Sequence, residues 1–246
     1  MTDAKTPTIV LVHGAFADGS SWNGVIERLQ AQGLTVVAPA NPLRGISIDS
    51  AYTAAVLEQI DGPVLLVGHS YGGAVISNAA THAGNVVGLV FVCAFAPDDG
   101  EALGQVAATS KDAILGTMQV PQNYPSGDGD AVEFIVDPAG LHEAFAADLP
   151  EKQAAVLAAT QRPVAQLAFT EPNGPPAWKH LPSWAIVANG DKAAGTDLTR
   201  SMAERAGATI TELDGSHVIM VSQPQAVSDV ILAAVASVAA PVEVGA

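Results

Sequence analysis

Cysteine occurs once in the 246 residues, at Cys93, so no intramolecular disulfide can form and no cysteine-based zinc site can be built. Redox compartment is therefore unconstrained, with the reducing cytosol favoured. Cations are scarce: 10 Lys and Arg stand against 25 Asp and Glu, a formal charge of −15. That balance argues against a nucleic-acid or anionic-membrane surface. It explains solubility and identifies no substrate. No apolar run reaches the roughly 18–20 residues of a membrane span; the longest candidates are 86–96 and 230–242, the second interrupted by Pro241. The opening Met1-Thr2-Asp3-Ala4-Lys5-Thr6-Pro7 lacks the basic and apolar regions of a secretory signal. Metal-ligand spacing of the H-x-x-x-H kind is missing as well. A soluble cytoplasmic chain is expected, and the Ala-rich composition suits a bacterial source.

What is present is apolar and alternating. Hydrophobic residues make up 49% of the chain, enough for a sizeable core. Short apolar runs at 8–12, 34–38, 63–67 and 86–92 read as buried strands, and further strands are read at 184–188 and 209–213. Between them, 20–32, 49–60, 71–83, 196–206 and 223–238 carry helical spacing. Continuous apolar strands separated by helices predict a parallel sheet covered on both faces. Residues 97–178 break the rhythm. They show no strand of that kind, only Pro- and Gly-rich pieces (121–130, 172–176) around helical stretches at 141–149 and 151–161. Connections in compact domains are far shorter, so this segment is expected to be a helical cap inserted after the fourth strand. The expected organisation is one compact domain: a core of 1–96 and 179–246, with the cap at 97–178.

Gly68-His69-Ser70-Tyr71-Gly72 fits G-x-S-x-G, directly after one expected strand and directly before a helix. About 0.1 such matches are expected by chance at this composition, so the context carries the weight. Strand, tight turn and helix in that order make a nucleophile elbow, which lifts the Ser70 hydroxyl above the sheet. A serine hydroxyl needs a base, and the base needs an orienting acid. Of the six histidines (13, 69, 82, 142, 180 and 217), His217 lies in Asp214-Gly215-Ser216-His217, on a loop past the last strand. That is the sheet edge that also carries Ser70. His69, inside the elbow, and His13, before Gly14, read as structural. His82, His142 and His180 read as surface residues, with His142 also a candidate pocket residue. The acid should follow a strand end between Ser70 and His217. Asp191, in Asn189-Gly190-Asp191, fits first; Asp197 reads as a helix cap, and Asp214 lies too close along the chain. Backbone N–H groups of Tyr71 and of Ala15, with Phe16 as second choice, are the candidate oxyanion donors.

Leu11-Val12-His13-Gly14-Ala15, the elbow with Gly73, Asn189-Gly190-Asp191 and Gly215-Ser216-His217 together resemble the α/β-hydrolase superfamily over roughly 8–240. The compact cap and His13-Gly14-Ala15 with Trp22 resemble the branch of plant methyl-salicylate-type esterases and hydroxynitrile lyases. The resemblance implies the α/β-hydrolase fold, an about six-stranded, mainly parallel sheet of order 2-1-3-4-5-6. It also implies that the family's two N-terminal strands are missing. Lyases of that branch carry Thr where Gly14 stands and Lys where Val218 follows the histidine. Their absence favours ester hydrolysis through an acyl-enzyme, with no metal or organic cofactor.

The expected substrate is a small, largely apolar ester or lactone, taken by a monomer or homodimer. Phe16, Phe95, Met118, Phe134, His142 and Phe145 are the candidate pocket residues. Cys93, Trp22, Trp178 and Trp184 read as core or hinge packing. Competing readings keep the scaffold and change the reaction: a cofactor-free perhydrolase or haloperoxidase, a C–C bond hydrolase, a lyase, or a receptor that retains the triad.

Overall fold

Thr8-Ile9-Val10-Leu11-Val12 has almost no polar side to turn towards water, and the fold gives it none: all but one of these residues are buried. The computed structural model describes residues 6–127 and 129–239. The segments read above for a secretory signal and for a terminal apolar run lie partly outside those residues, at 1–5 and 240–246.

Strand β1 (Thr8–Val12) is followed by α1 (Asn23–Ala31), β2 (Val36–Val37), α2 (Ile46–Leu57), β3 (Val64–His69), α3 (Tyr71–Ala79) and β4 (Val86–Val92). Next come α4 (Leu103–Ala107), β5 (Gln119–Ser126), β6 (Gly129–Val136), α5 (Pro138–Phe145), α6 (Glu151–Thr160), β7 (Val164–Ala165) and α7 (Leu167–Thr170). The chain then returns through β8 (Ser183–Ala188), α8 (Thr196–Arg205), β9 (Thr209–Leu213), α9 (Ile219–Ser222) and α10 (Pro224–Ala239).

The main sheet has six strands in the order β2-β1-β3-β4-β8-β9, and each neighbouring pair is parallel. Counted along the sheet's own strands this is 2-1-3-4-5-6, as the resemblance implied. Strands β3 and β8 are buried at every residue, because helices cover both faces. Edge strand β2 keeps just Val36 and Val37 of the expected 34–38, and both are half-buried. Helix α2 begins before Asp49, because Gly45, at φ 144°, lets the chain turn and accepts the Asp49 N–H at 2.9 Å.

The segment between β4 and β8 corrects the expectation of a purely helical insertion. It holds a three-stranded antiparallel sheet of order β5-β6-β7 beside its helices. Strand β5 reads Gln-Val-Pro-Gln-Asn-Tyr-Pro-Ser and is largely exposed, so it shows neither a continuous apolar run nor a clean alternation. Its pairing is local: Ser126 stands opposite Gly129, and the register runs back to Gln119 opposite Val136. At the other end of the insertion, the Trp178 indole N–H donates to the Pro97 carbonyl at 3.2 Å, which ties the two crossings to the core together.

Candidate active site

Ser70 joins β3 to α3 with φ 53° and ψ −122°, a conformation that costs a non-glycine residue on the order of 1–3 kcal/mol. The surroundings hold it there. Its N–H donates to the Val92 carbonyl at 3.1 Å, and its carbonyl accepts from Gly73 at 3.0 Å and Phe95 at 3.1 Å. The close packing depends on glycine. A Cβ on Gly72 would lie 2.5 Å from the Val12 carbonyl oxygen, and one on Gly14 would lie 2.7 Å from the Ser70 Cβ.

The parallel pairing of β8 with β9 brings two loops side by side. Asn189 donates to the Leu213 carbonyl at 2.8 Å and Gly190 to the Gly215 carbonyl at 2.9 Å. Asp191 and His217, both 1% exposed, therefore meet, with His217 Nδ1 2.8 Å from Asp191 Oδ2. A carboxylate only accepts, so Nδ1 carries the proton and Nε2 is left as the basic nitrogen. The other carboxylate oxygen, Oδ1, accepts the N–H groups of Ala193 at 2.9 Å and Ala194 at 3.0 Å. The other two candidate acids are engaged elsewhere. Asp197 accepts from Ser110 and Lys111, and Asp214 accepts from Asn189.

Ser70 and His217 share the wall of one cavity of about 60 Å³, without a direct hydrogen bond between them. Catalytic hydrogen bonds often tighten only once substrate is bound. The core supplies Ala15, Phe16, Ser70, Tyr71, Phe95 and His217 to this wall, and the insertion supplies Leu115, Phe145 and Phe169. Most of that lining is hydrocarbon. Phe145 lies 5.0 Å from the His217 ring, centroid to centroid. Phe16, held at φ 61°, stacks on Phe169 at 6.4 Å.

A family model described as the alpha/beta hydrolase family matches residues 9–230. The chain belongs to the alpha/beta hydrolase family. A putative chloroplastic methylesterase of Arabidopsis thaliana is 27% identical over 177 residues, which are 65% of this chain and 51% of that protein. A pyrethroid hydrolase of Sphingobium wenxiniae is 34% identical over 99 residues, 35% of each chain. The chain thus matches about half the length of the first of these relatives and about a third of the second. Among solved structures, polyneuridine aldehyde esterase superposes with TM-score 0.79 at 22% identity, over 94% of this chain and 99% of that one. Tomato methylketone synthase I complexed with 2-tridecanone gives 0.78 at 22%, over 95% and 99%. Likeness at that identity establishes the fold.

Three of the six candidate pocket residues line the cavity: Phe16, Phe95 and Phe145. The other three do not. Met118 packs on α5, where a Cβ on Gly140 would come within 2.6 Å of its sulfur. Phe134 stands behind Phe169, at 6.3 Å. His142 Nε2 lies 2.9 Å from the Leu149 carbonyl, closing the end of α5.

His13 and His69 are fully buried. His13 Nε2 accepts the Asn41 N–H at 3.0 Å, and its Nδ1 reaches the Gly14 carbonyl at 3.0 Å, so it shapes the loop beside Ser70. His69 Nε2 donates to the His217 carbonyl at 3.0 Å. Burial pushes His69 well below the usual imidazole range, which keeps it neutral. Burial likewise raises the Cys93 thiol, leaving it a core residue.

Sequence reasoning missed Leu115 and Phe169 on the wall. It also missed Asp148, whose carboxylate accepts the Ser216 hydroxyl one residue before His217. No periodicity marks these three, because their roles depend on how the insertion packs. Among the described residues, no cluster of His, Cys, Asp or Glu fit to hold a metal ion occurs, and no helix is long and apolar enough to cross a membrane.

Proposed function

We propose that this protein is a carboxylesterase-type serine hydrolase acting on small, largely apolar esters, with residues 97–178 as its cap. One observation carries most of the weight. A strained serine at a strand-to-helix elbow shares a cavity with a histidine whose far nitrogen is bonded to a buried carboxylate.

In this reading His217 Nε2 takes the Ser70 proton as Oγ attacks the ester carbonyl. Asp191 keeps the ring in the tautomer that can accept that proton and stabilises the imidazolium that forms. The N–H groups of Ala15 and Tyr71 receive the oxyanion; each such donor is worth on the order of 10²–10³ in rate. Tyr71 suits the role because it opens α3, where N–H groups have no partner in the helix. Collapse of the tetrahedral adduct breaks the ester C–O bond, and His217 protonates the leaving alkoxide. Water, deprotonated by His217, then hydrolyses the acyl-enzyme.

The apolar wall favours an apolar acyl group, and relatives whose names give methylesterase and pyrethroid hydrolase agree with ester chemistry. The test is hydrolysis of p-nitrophenyl esters from acetyl to decanoyl by the wild type and Ser70→Ala. A wild-type burst, with turnover reduced by at least about 10³-fold in the variant, is expected. Unchanged turnover in a folded Ser70→Ala protein would remove serine catalysis from consideration.

A further inference from the structure

One buried carboxylate has no part in the mechanism above. Asp49, in the first turn of α2, is 0% exposed. Its Oδ2 accepts the Tyr71 phenol O–H at 2.7 Å, and its Oδ1 accepts the Arg44 backbone N–H at 3.0 Å. Tyr71 is the residue after the nucleophile. Tyr71 is one of the residues lining the cavity, its exposure is 1%, and its backbone N–H belongs to the peptide that enters α3 from Ser70. The phenol therefore grips, from the side-chain end, the residue whose main chain faces the reacting carbonyl.

The far side of Asp49 is also anchored. The loop before α2 is bent at Leu43 (φ 60°) and Gly45 (φ 144°). The insertion docks on this loop: Ala165 donates to the Leu43 carbonyl at 2.9 Å, and Glu133 pairs with the Arg44 guanidinium at 2.8 Å. Asp49 thus joins the seat of the insertion to the helix that opens at the elbow.

We infer that Asp49, acting through the Tyr71 phenol, is a positioning residue that sets the Tyr71 N–H for the oxyanion. The inference rests on the serine-hydrolase reading and adds a part to it. Hydrogen bonds to an ionised acceptor are short and about twice as strong as neutral ones, so this contact can fix a side chain that a neutral pair would leave looser. Burial pushes the Asp49 carboxyl up, while the Tyr71 and Arg44 bonds pull it down.

The experiment compares wild type, Tyr71→Phe and Asp49→Asn. Phe keeps the ring volume, and Asn keeps a carbonyl acceptor for the phenol. Active sites are counted from the p-nitrophenol burst. Then kcat and KM per active site are measured, with Ki for an aryl trifluoromethyl ketone, which adds to the serine and places an oxyanion in the hole. If the pair positions the donor, Tyr71→Phe lowers kcat per active site about tenfold with KM within about twofold, and Ki rises by the same factor. Asp49→Asn moves kcat and Ki together by a smaller factor. If the pair merely satisfies buried polar groups, the burst fraction or the melting temperature drops while kcat per site and Ki stay at wild-type values. That result overturns the inference and leaves the hydrolase reading intact. A wild type with no burst and no inhibition by the ketone overturns both.

Discussion

The six-stranded core and the insertion at 97–178 solve different problems with different materials. The central core strands β3 and β8 are buried at every residue, and the ends of β3, β8 and the more exposed edge strand β9 carry Ser70, Asp191 and His217. The insertion leaves most of β5 in water, yet it contributes Leu115, Phe145 and Phe169 to the cavity. On the proposed reading, the three positions that need precise placement sit on the core, where packing removes freedom. Positions that only need to be apolar and near sit on the covering segment. A division of labour follows: core substitutions at the site should change the rate of chemistry, and insertion substitutions should change which substrate is taken.

The sharpest break of that division would come from the core side. Asp191→Asn keeps the shape and removes the charge that selects the His217 tautomer. A loss in kcat of about 10³–10⁴-fold is expected, with the fold retained, read by ester kinetics beside circular dichroism. A loss below tenfold would mean that the Asp191–His217 contact, at 2.8 Å, is structural.

The insertion side should respond more gently and in another quantity. Phe169 forms part of the cavity and stacks on Phe16 at 6.4 Å. Phe169→Ala should enlarge the acyl site, shift the chain-length optimum towards longer esters, and lower kcat/KM for the best short ester about 10- to 100-fold. The burst amplitude should stay at one per chain. An unchanged chain-length profile would show that the insertion does not shape specificity.

The same contrast explains what was legible in the sequence. Two-sided burial writes itself as unbroken apolar runs, so the central strands and the elbow at Gly68–Gly72 could be read directly, whereas the strand order came from the family resemblance. Asp191 stood out because it follows the end of β8 at once, and of the three candidate acids it is the one bonded to His217. In the insertion the signals were weaker or of another kind. Strand β5 is polar and Pro-containing, so apolar periodicity could not find it. The available cue was in the sequence alone: the Asp-Gly pair at 128–129, a dipeptide common in turns, just before the apolar residues that become β6. Met118 and Phe134 are apolar and belong to the insertion that supplies part of the cavity wall. Their packing on α5 and behind Phe169 depends on tertiary contacts that no local pattern encodes.

The exposed edge of β5 offers the subtlest test, because the core has a covered sheet and the insertion has an open one. In an antiparallel pair, alternate residues turn their backbone groups outward. Gln166 donates to the Val132 carbonyl and the Gln161 side chain bonds Val136, so those two residues face away from β5. Their partners Asn123 and Gln119 then face the free edge, and so do Pro121 and Pro125, two residues to either side of Asn123. Proline has no N–H to offer, so two of the outward donors that would recruit another strand are missing where β5 is most open. Pro121→Val with Pro125→Val restores both. Kinetics and the burst should stay within about twofold, since neither residue lines the cavity. Concentration-dependent self-association, followed by light scattering during size-exclusion chromatography, should appear in the double variant above the wild-type level. Equal behaviour of the two proteins up to high concentration would mean that the twist or charge of the hairpin, and not its prolines, keeps that edge single.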